Sequence, residues 1–235
     1  MCIRDRFQKP YDDIDIESVR VAISDQGWSL LGTPLDCSVR SQICSEIDTL
    51  AQADSTEVNY DGAEHRVWHA HQKSILIDQF RNFSDTVLSK VMKEPKSAHD
   101  ILAIRNRTLD SKATALHTGR WHLDSFYQQM KIFVFLTDVT HASGPFEMIP
   151  GTQAMTFKVR QALEGHLITP KDLVKGTRSY ASLKEELIEK IVAKGYETKA
   201  FDVPAGTIAL VDTSCVHRAR PCTKGERYAL TSYYK

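Results

Sequence analysis

The sequence predicts a mainly β protein with flanking helices, a β-sandwich or jelly roll carrying its helices outside. Three observations lead there. Helical patterns fill the first part of the chain, and from Asp100 the apolar residues shorten into strand-length runs. Turn signals punctuate those runs at Ser143-Gly144-Pro145, Pro150-Gly151 and Pro204-Ala205-Gly206. A length of 235 residues suits one such domain with added helices.

The first residues, MCIRDR, have no apolar core like that of a secretory signal. They back-translate to something resembling a transposon end used in preparing sequencing libraries, so residues 1–6 are set aside as a sequencing-adapter artefact. The strand-like run into Tyr233-Tyr234-Lys235 leaves room for further chain at that end too. The expected domain covers 7–235, with a helical N-terminal part over 7–98 and a jelly-roll core over 99–235. Helices are expected from Ile14 to Gln26 and from Val39 to Gln52, where Ile43, Ile47 and Leu50 recur at helical spacing. A third is expected from about Ile77 to Met92, with Pro95 barring its continuation. Strands are expected over Ile101 to Leu109, Lys131 to Val139, Phe146 to Pro150, Ala200 to Val203, Thr207 to Val211 and Arg227 to Tyr234, with one helix, Ser182 to Lys194, among them.

Hydrophobic residues make up 42% and charged residues 26%, which disfavours disorder, collagen-like repeats and coiled coil. Thirty Lys plus Arg balance thirty Asp plus Glu, so no net field draws in nucleic acid or an anionic bilayer. No stretch approaches the ~20 apolar residues of a membrane span. A small-molecule substrate is the expected partner. The five cysteines lack C-x-x-C spacing, which indicates neither a disulfide framework nor a zinc ribbon and fits a reducing cytoplasm.

Trp121-His122-Leu123-Asp124 places an imidazole and a carboxylate two residues apart. On a strand such residues share a face about 6.6 Å apart and can reach one ion, whereas on a helix they diverge. With nine histidines and thirty carboxylates, roughly one H-x-[D/E] match is expected by chance, so context must decide. That context is a long strand from Lys131, the Gly144-Pro145 turn, the run Phe146 to Thr152, a second histidine, His217, and then Arg227. Two histidines and one carboxylate on one side of an iron leave three positions open, the arrangement of non-haem Fe(II) oxygenases. An arginine on a neighbouring strand offers a planar fork to a distal carboxylate. Iron, O2 and a dicarboxylate are all provided for.

In this order, W-H-x-D, strand, G-P-F-x-x-I-P-G-T, distal His and Arg, the chain from Asp100 to Tyr234 resembles the phytanoyl-CoA dioxygenase-like family of Fe(II)/2-oxoglutarate oxygenases. The resemblance implies a double-stranded β-helix, cupin-like in form, with His122, Asp124 and His217 as catalytic iron ligands and Arg227 on the C5 carboxylate of 2-oxoglutarate. It also implies an aromatic residue against the cosubstrate, matched by Phe133, which equally suits a core position. Lys131 alternates onto the face of Phe133 and either holds a carboxylate or is solvated. The implied reaction is hydroxylation of a small organic molecule with release of succinate and CO2. Two departures stand out: Ala229 lies where many such enzymes have a hydroxyl two after the arginine, and Gln153 follows P-G-T where this family more often has His.

Other readings run alongside. A halogenase needs the carboxylate ligand replaced, and Asp124 argues against one; a non-catalytic cupin-like binding protein is the reading from another class. Arg105 and Arg107 share a strand face and could grip an anion or be exposed. Cys215 is expected to pack as a small hydrophobe. His69 and His71 lack a third ligand at matching spacing and read as loop or lid material.

Overall fold

In a computed structural model, which describes residues 6–32, 35–59, 62–108, 119–164 and 181–234, the helices begin where side-chain caps allow. A short helix α1 (Gln8–Asp12) leads to α2 (Ile16–Gln26), whose first N–H groups are taken up by the Asp15 carboxylate, from Glu17 at 3.1 Å and Ser18 at 3.2 Å. Helix α3 (Cys37–Leu50) follows, and then α4 (Ile75–Met92), capped by the Ser74 hydroxyl accepting from Ile77 N–H at 3.1 Å. Their apolar stripes, Val19 and Ile23, then Val39, Ile43 and Ile47, then Ile77, Phe80, Val87 and Val91, converge on one core.

That core lies against a seven-stranded antiparallel sheet. Its strands are β1 (Trp28–Leu30), β2 (Glu57–Asn59), β3 (Glu64–Val67), β4 (Asp100–Arg107), β6 (Met130–Phe135), β10 (Ile208–Asp212) and β12 (Glu226–Tyr233), in the order β1-β10-β6-β12-β4-β3-β2. A five-stranded sheet, β8-β5-β11-β7-β9, is built from β5 (His122–Leu123), β7 (Phe146–Met148), β8 (Ala181–Ser182), β9 (Lys199–Ala200) and β11 (His217–Ala219). Period-two alternation sorts the side chains. On β6, β10 and β12, Ile132, Val134, Ile208, Leu210 and Leu230 face the helices, while Phe135, Ala209, Val211 and Ala229 face inward to meet Phe146 and Met148 of the smaller sheet. The outer side of the smaller sheet is covered by α5 (Met155–Leu163) and α6 (Glu185–Ala193), whose Phe157, Ile188 and Ile191 pack on Trp121, Leu123 and Val216. The result is the expected mainly β jelly roll with flanking helices.

Several expectations are corrected. The N-terminal part is not only helical, because β1, β2 and β3 all join the large sheet. Glu64–Val67, not among the expected strands, pairs with both β2 and β4. Mixed polar and apolar residues hid it, since Glu64 turns inward and Val67 outward. A second helix, α5, lies among the strands, where Pro150-Gly151 masked its approach. Leu109, the expected end of β4, falls outside the described residues. Among the described residues no helix is long and apolar enough to cross a membrane.

The turn before β7 depends on Gly144, whose φ of 78° is left-handed and whose missing Cβ lets the carbonyl oxygen of Arg220 approach. Gly144→Ala is therefore expected to lower stability by roughly 2 kcal/mol or more. Urea unfolding at neutral pH measures this, and an unchanged midpoint would contradict it.

Candidate metal centre

The inner face of the smaller sheet carries the first functional group of residues. Strands β5 and β11 are antiparallel neighbours in which His217 pairs directly with His122, so the two imidazoles stand side by side with ring centroids 4.3 Å apart. Asp124, one step past β5, is tied to the other arm through its N–H, which donates to the Thr213 carbonyl at 3.2 Å. Its carboxylate lies 3.7 Å from His122 Nε2 through Oδ1 and 3.5 Å from His217 Nε2 through Oδ2. One ligand atom from each of the three lies within 4.8 Å of the others.

The imidazoles are aimed by what their other nitrogens do. His122 Nδ1 is 2.9 Å from the Arg120 carbonyl, and His217 Nδ1 is 2.9 Å from the Cys215 carbonyl. A carbonyl only accepts, so each Nδ1 must donate, which leaves both Nε2 lone pairs directed toward the carboxylate. Two imidazole lone pairs and a carboxylate facing one point are a donor set that fits a divalent cation such as iron. Burial pushes the His217 imidazole down to about 4, against the opposing pull of Asp124. Burial acts to raise the Asp124 carboxyl, but Lys131 and the two histidines outweigh it and hold the group well below the usual carboxylate range.

Lys131 is not solvated. It is 6% exposed, its Nζ sits 2.6 Å from Asp124 Oδ2 and 4.1 Å over the Tyr233 ring, and these partners keep it charged against the opposing effect of burial. Phe133 is half-buried on the same inner face, 5.2 Å from Phe146, which in turn stacks 5.3 Å from the His217 ring.

Farther along the inner face, Arg227 is buried at 7% exposure. Its one hydrogen bond among the described residues is a long one, 3.4 Å from Nη2 to Asn106 Oδ1. Asn106 donates in turn to Glu64 at 3.1 Å, and Glu64 is already ion-paired with Arg66 at 2.7 Å. Among the described residues no other hydrogen bond engages the buried guanidinium, a fit for an anionic group. Asn106 and Glu64 escaped sequence reading. Alternation around Arg105 and Arg107 could have found Asn106, since those two take the opposite face: Arg105 pairs with Asp48 of α3 at 2.7 Å, and Arg107 is exposed. Neither arginine joins the site.

Cys215 packs as a small hydrophobe, as expected. His69 and His71 do have a carboxylate between them, Asp100, at 3.1 and 3.8 Å from their Nδ1 atoms. Both rings thus turn a nitrogen to one buried carboxylate, and among the described residues only His122, Asp124 and His217 bring three ligand atoms close enough that they could hold an ion.

With this geometry in view, comparison with solved structures gives the fold its relatives. The chain resembles the non-haem alpha-ketoglutarate-dependent epimerase SnoN of nogalamycin biosynthesis, with a TM-score of 0.69, 14% identity, and 93% of this chain and 82% of that one covered. SnoK, an alpha-ketoglutarate-dependent carbocyclase of the same biosynthesis, matches with a TM-score of 0.68 and 16% identity over 95% and 85% of the two chains. EctD from S. alaskensis, solved with bound Fe, matches with a TM-score of 0.62 and 16% identity over 97% and 78%. The fold is that of the 2-oxoglutarate-dependent oxygenases. No family model matches the chain, and no curated protein does.

The neutral, buried His217 makes the stability of the metal-free protein depend on pH. Its folded value of about 4 lies below the 6.5 of the unfolded chain. As pH falls through 6.5 the unfolded state takes up the proton first, so the stability contributed above that pH is lost progressively down to about 4. The loss is worth roughly 3 kcal/mol at about 1.4 kcal/mol per unit. Urea unfolding of chelator-treated protein between pH 7 and 4 should show this slope in the wild type and a shallower one in His217→Gln; equal slopes would contradict it.

Proposed function

We propose that the chain is an Fe(II)- and 2-oxoglutarate-dependent dioxygenase of the phytanoyl-CoA dioxygenase-like kind that hydroxylates a small organic molecule. One observation carries the reading: the ligand atoms of His122, Asp124 and His217 converge on one point of an inner face that also holds a buried Arg227, with one long hydrogen bond among the described residues. Relatives of the same fold support it, since HygX from Streptomyces hygroscopicus is described with nickel, 2-oxoglutarate and hygromycin B bound, and SnoN with Fe3+, alpha ketoglutarate and nogalamycin RO.

Iron held by His122, Asp124 and His217, with O2 and 2-oxoglutarate, supplies oxidative decarboxylation of the cosubstrate to succinate and CO2 coupled to oxidation of a substrate C–H bond. The chain's own residues set the conditions. Lys131 engages Oδ2 of Asp124, which favours presentation of a single oxygen to the ion. The Nδ1 contacts to Arg120 and Cys215 fix both imidazoles in the tautomer that coordinates. Arg227 takes the distal carboxylate of the cosubstrate, and Phe133, Phe135 and Phe146 form the apolar wall that excludes water between the two ends. A cleft of about 630 Å³ between the end of α4 and the segment after Asp124, lined among others by Leu88, Met92, His99, Ser125, Tyr127 and Tyr233, offers room for a small molecule, and Tyr233, whose ring lies against Lys131, links it to the site. Asp124 also fills the place a halide would need, which favours hydroxylation over halogenation.

Succinate release that requires both iron and 2-oxoglutarate tests the activity, and no turnover with any substrate in a broad screen would favour the binding-protein reading. His217→Ala is expected to weaken anaerobic Fe(II) binding by more than about a hundredfold, since two ligands cannot fix the geometry; retained stoichiometric iron would refute the assignment. Arg227→Lys is expected to weaken 2-oxoglutarate by roughly ten- to a hundredfold, about 1.5–3 kcal/mol, with iron affinity unchanged. Equal 2-oxoglutarate affinity in that variant would move the anchor elsewhere.

A further inference from the structure

The two segments bearing Asp124 and His217 are laced together. Thr213 N–H donates to the Gln129 carbonyl at 2.7 Å, and the Asp212 carboxylate accepts from Gln129 N–H at 3.2 Å and Ser214 N–H at 3.0 Å. One side chain reaches this lacing from the helix layer outside. Lys158 of α5, 1% exposed, donates from Nζ to the Phe126 carbonyl at 2.6 Å and to the Ser214 hydroxyl at 2.8 Å. Phe126 follows closely on Asp124, and Ser214 shortly precedes His217.

A lysine so buried is expensive, and its two acceptors among the described residues are neutral. Burial brings its pKa down to about 8, with nearby Asp212 and then Cys215 opposing. An apolar side chain could fill the same volume at lower cost, so packing alone does not explain the ammonium. Its distinctive effect is geometric. Two short donor bonds from one nitrogen fix the gap between the Phe126 carbonyl and the Ser214 hydroxyl, and hence between the segments that carry the two ligands.

We propose that Lys158 is a positioning residue for the metal centre, clamping segments 124–129 and 212–216 at the separation at which Asp124 and His217 share one ion. The clamp rests on the metal reading of His122, Asp124 and His217. It acts through those ligands and touches neither ion nor substrate.

Anaerobic titration of the full chain with Co(II), followed by the visible d–d spectrum, tests it. Wild type is expected to bind one Co(II), and His217→Ala to lose it. Lys158→Met should bind at least about tenfold more weakly, in the range known for residues that orient metal ligands, and with a displaced d–d band. Ser214→Ala, which removes one acceptor and leaves the lysine, should bind roughly threefold more weakly with a displacement in the same direction. A merely structural role would lower the melting temperature of Lys158→Met and leave affinity and spectrum as in wild type, which would overturn the clamp. If Lys158→Met does not fold, Ser214→Ala decides by the same two readouts. A wild-type chain that takes up no Co(II) overturns the metal reading, and the clamp with it.

Discussion

His217 and His122 stand opposite each other across an antiparallel strand pair, and a slip of one residue in that register would send an imidazole to the apolar outer face. The outer face prevents the slip. Leu123 and Val216, the immediate neighbours of the two histidines, are buried with Trp121 under Phe157, Ile188 and Ile191. Moving either strand by one residue would put a histidine into that cluster and drive Leu123 or Val216 inward. Apolar burial on one side of β5 and β11 thus fixes the polar constellation on the other, and the pairing of His217 with Met148 of β7 holds the register from the far side.

The interior between the sheets is polar at two places and apolar between them. At one end Asp124 and Lys131 face the paired imidazoles; at the other Arg227, Asn106, Glu64 and Arg66 lie side by side across β12, β4 and β3. The rings of Phe133, Phe135 and Phe146 separate them. Each end is unfavourable in isolation. Two imidazole lone pairs and a carboxylate converge at one, and at the other Arg227 holds a guanidinium out of water with one long hydrogen bond among the described residues. Such local costs mark a place shaped for a ligand, because a fold selected for stability alone would fill these positions with apolar residues.

How much of this was legible in the sequence follows from how local each signal is. Helices α2 to α4 announce themselves through a 3.6-residue period, and β4, β6, β10 and β12 through apolar runs bounded by turns. The H-x-D pair shares a face by strand spacing, but it was visible only through the ordered context that follows it, from Gly144-Pro145 to His217 and Arg227. Strand β3 was not, since Glu64-His65-Arg66-Val67 pairs with neighbours far along the chain and buries a glutamate, which reads as exposed until Arg66 and Asn106 are known to meet it. Lys131 stays open between a carboxylate partner and solvent for the same reason. Its burial depends on Asp124 and on Tyr233, and only the pairing of β6 with β12 brings Tyr233 over its ammonium.

Charge balance ties the two ends together. Lys131 cancels Asp124, and Arg66 cancels Glu64, so among the described residues these interior groups leave the one positive unit on Arg227. A divalent cation at the histidines adds two more, in a region whose low dielectric magnifies every unpaired charge. A neutral ligand would leave that excess standing, and a monoanion could answer only one end of it. A dicarboxylate long enough to reach from the metal ligands past Phe133 to Arg227 answers both, which is why 2-oxoglutarate suits the electrostatics of this interior as well as its shape. SnoN and SnoK share the fold and are described as an epimerase and a carbocyclase. The strands that hold such a site therefore do not determine what is done to the substrate. On the reading proposed above, that choice falls to segments outside the paired strands rather than to the histidines themselves.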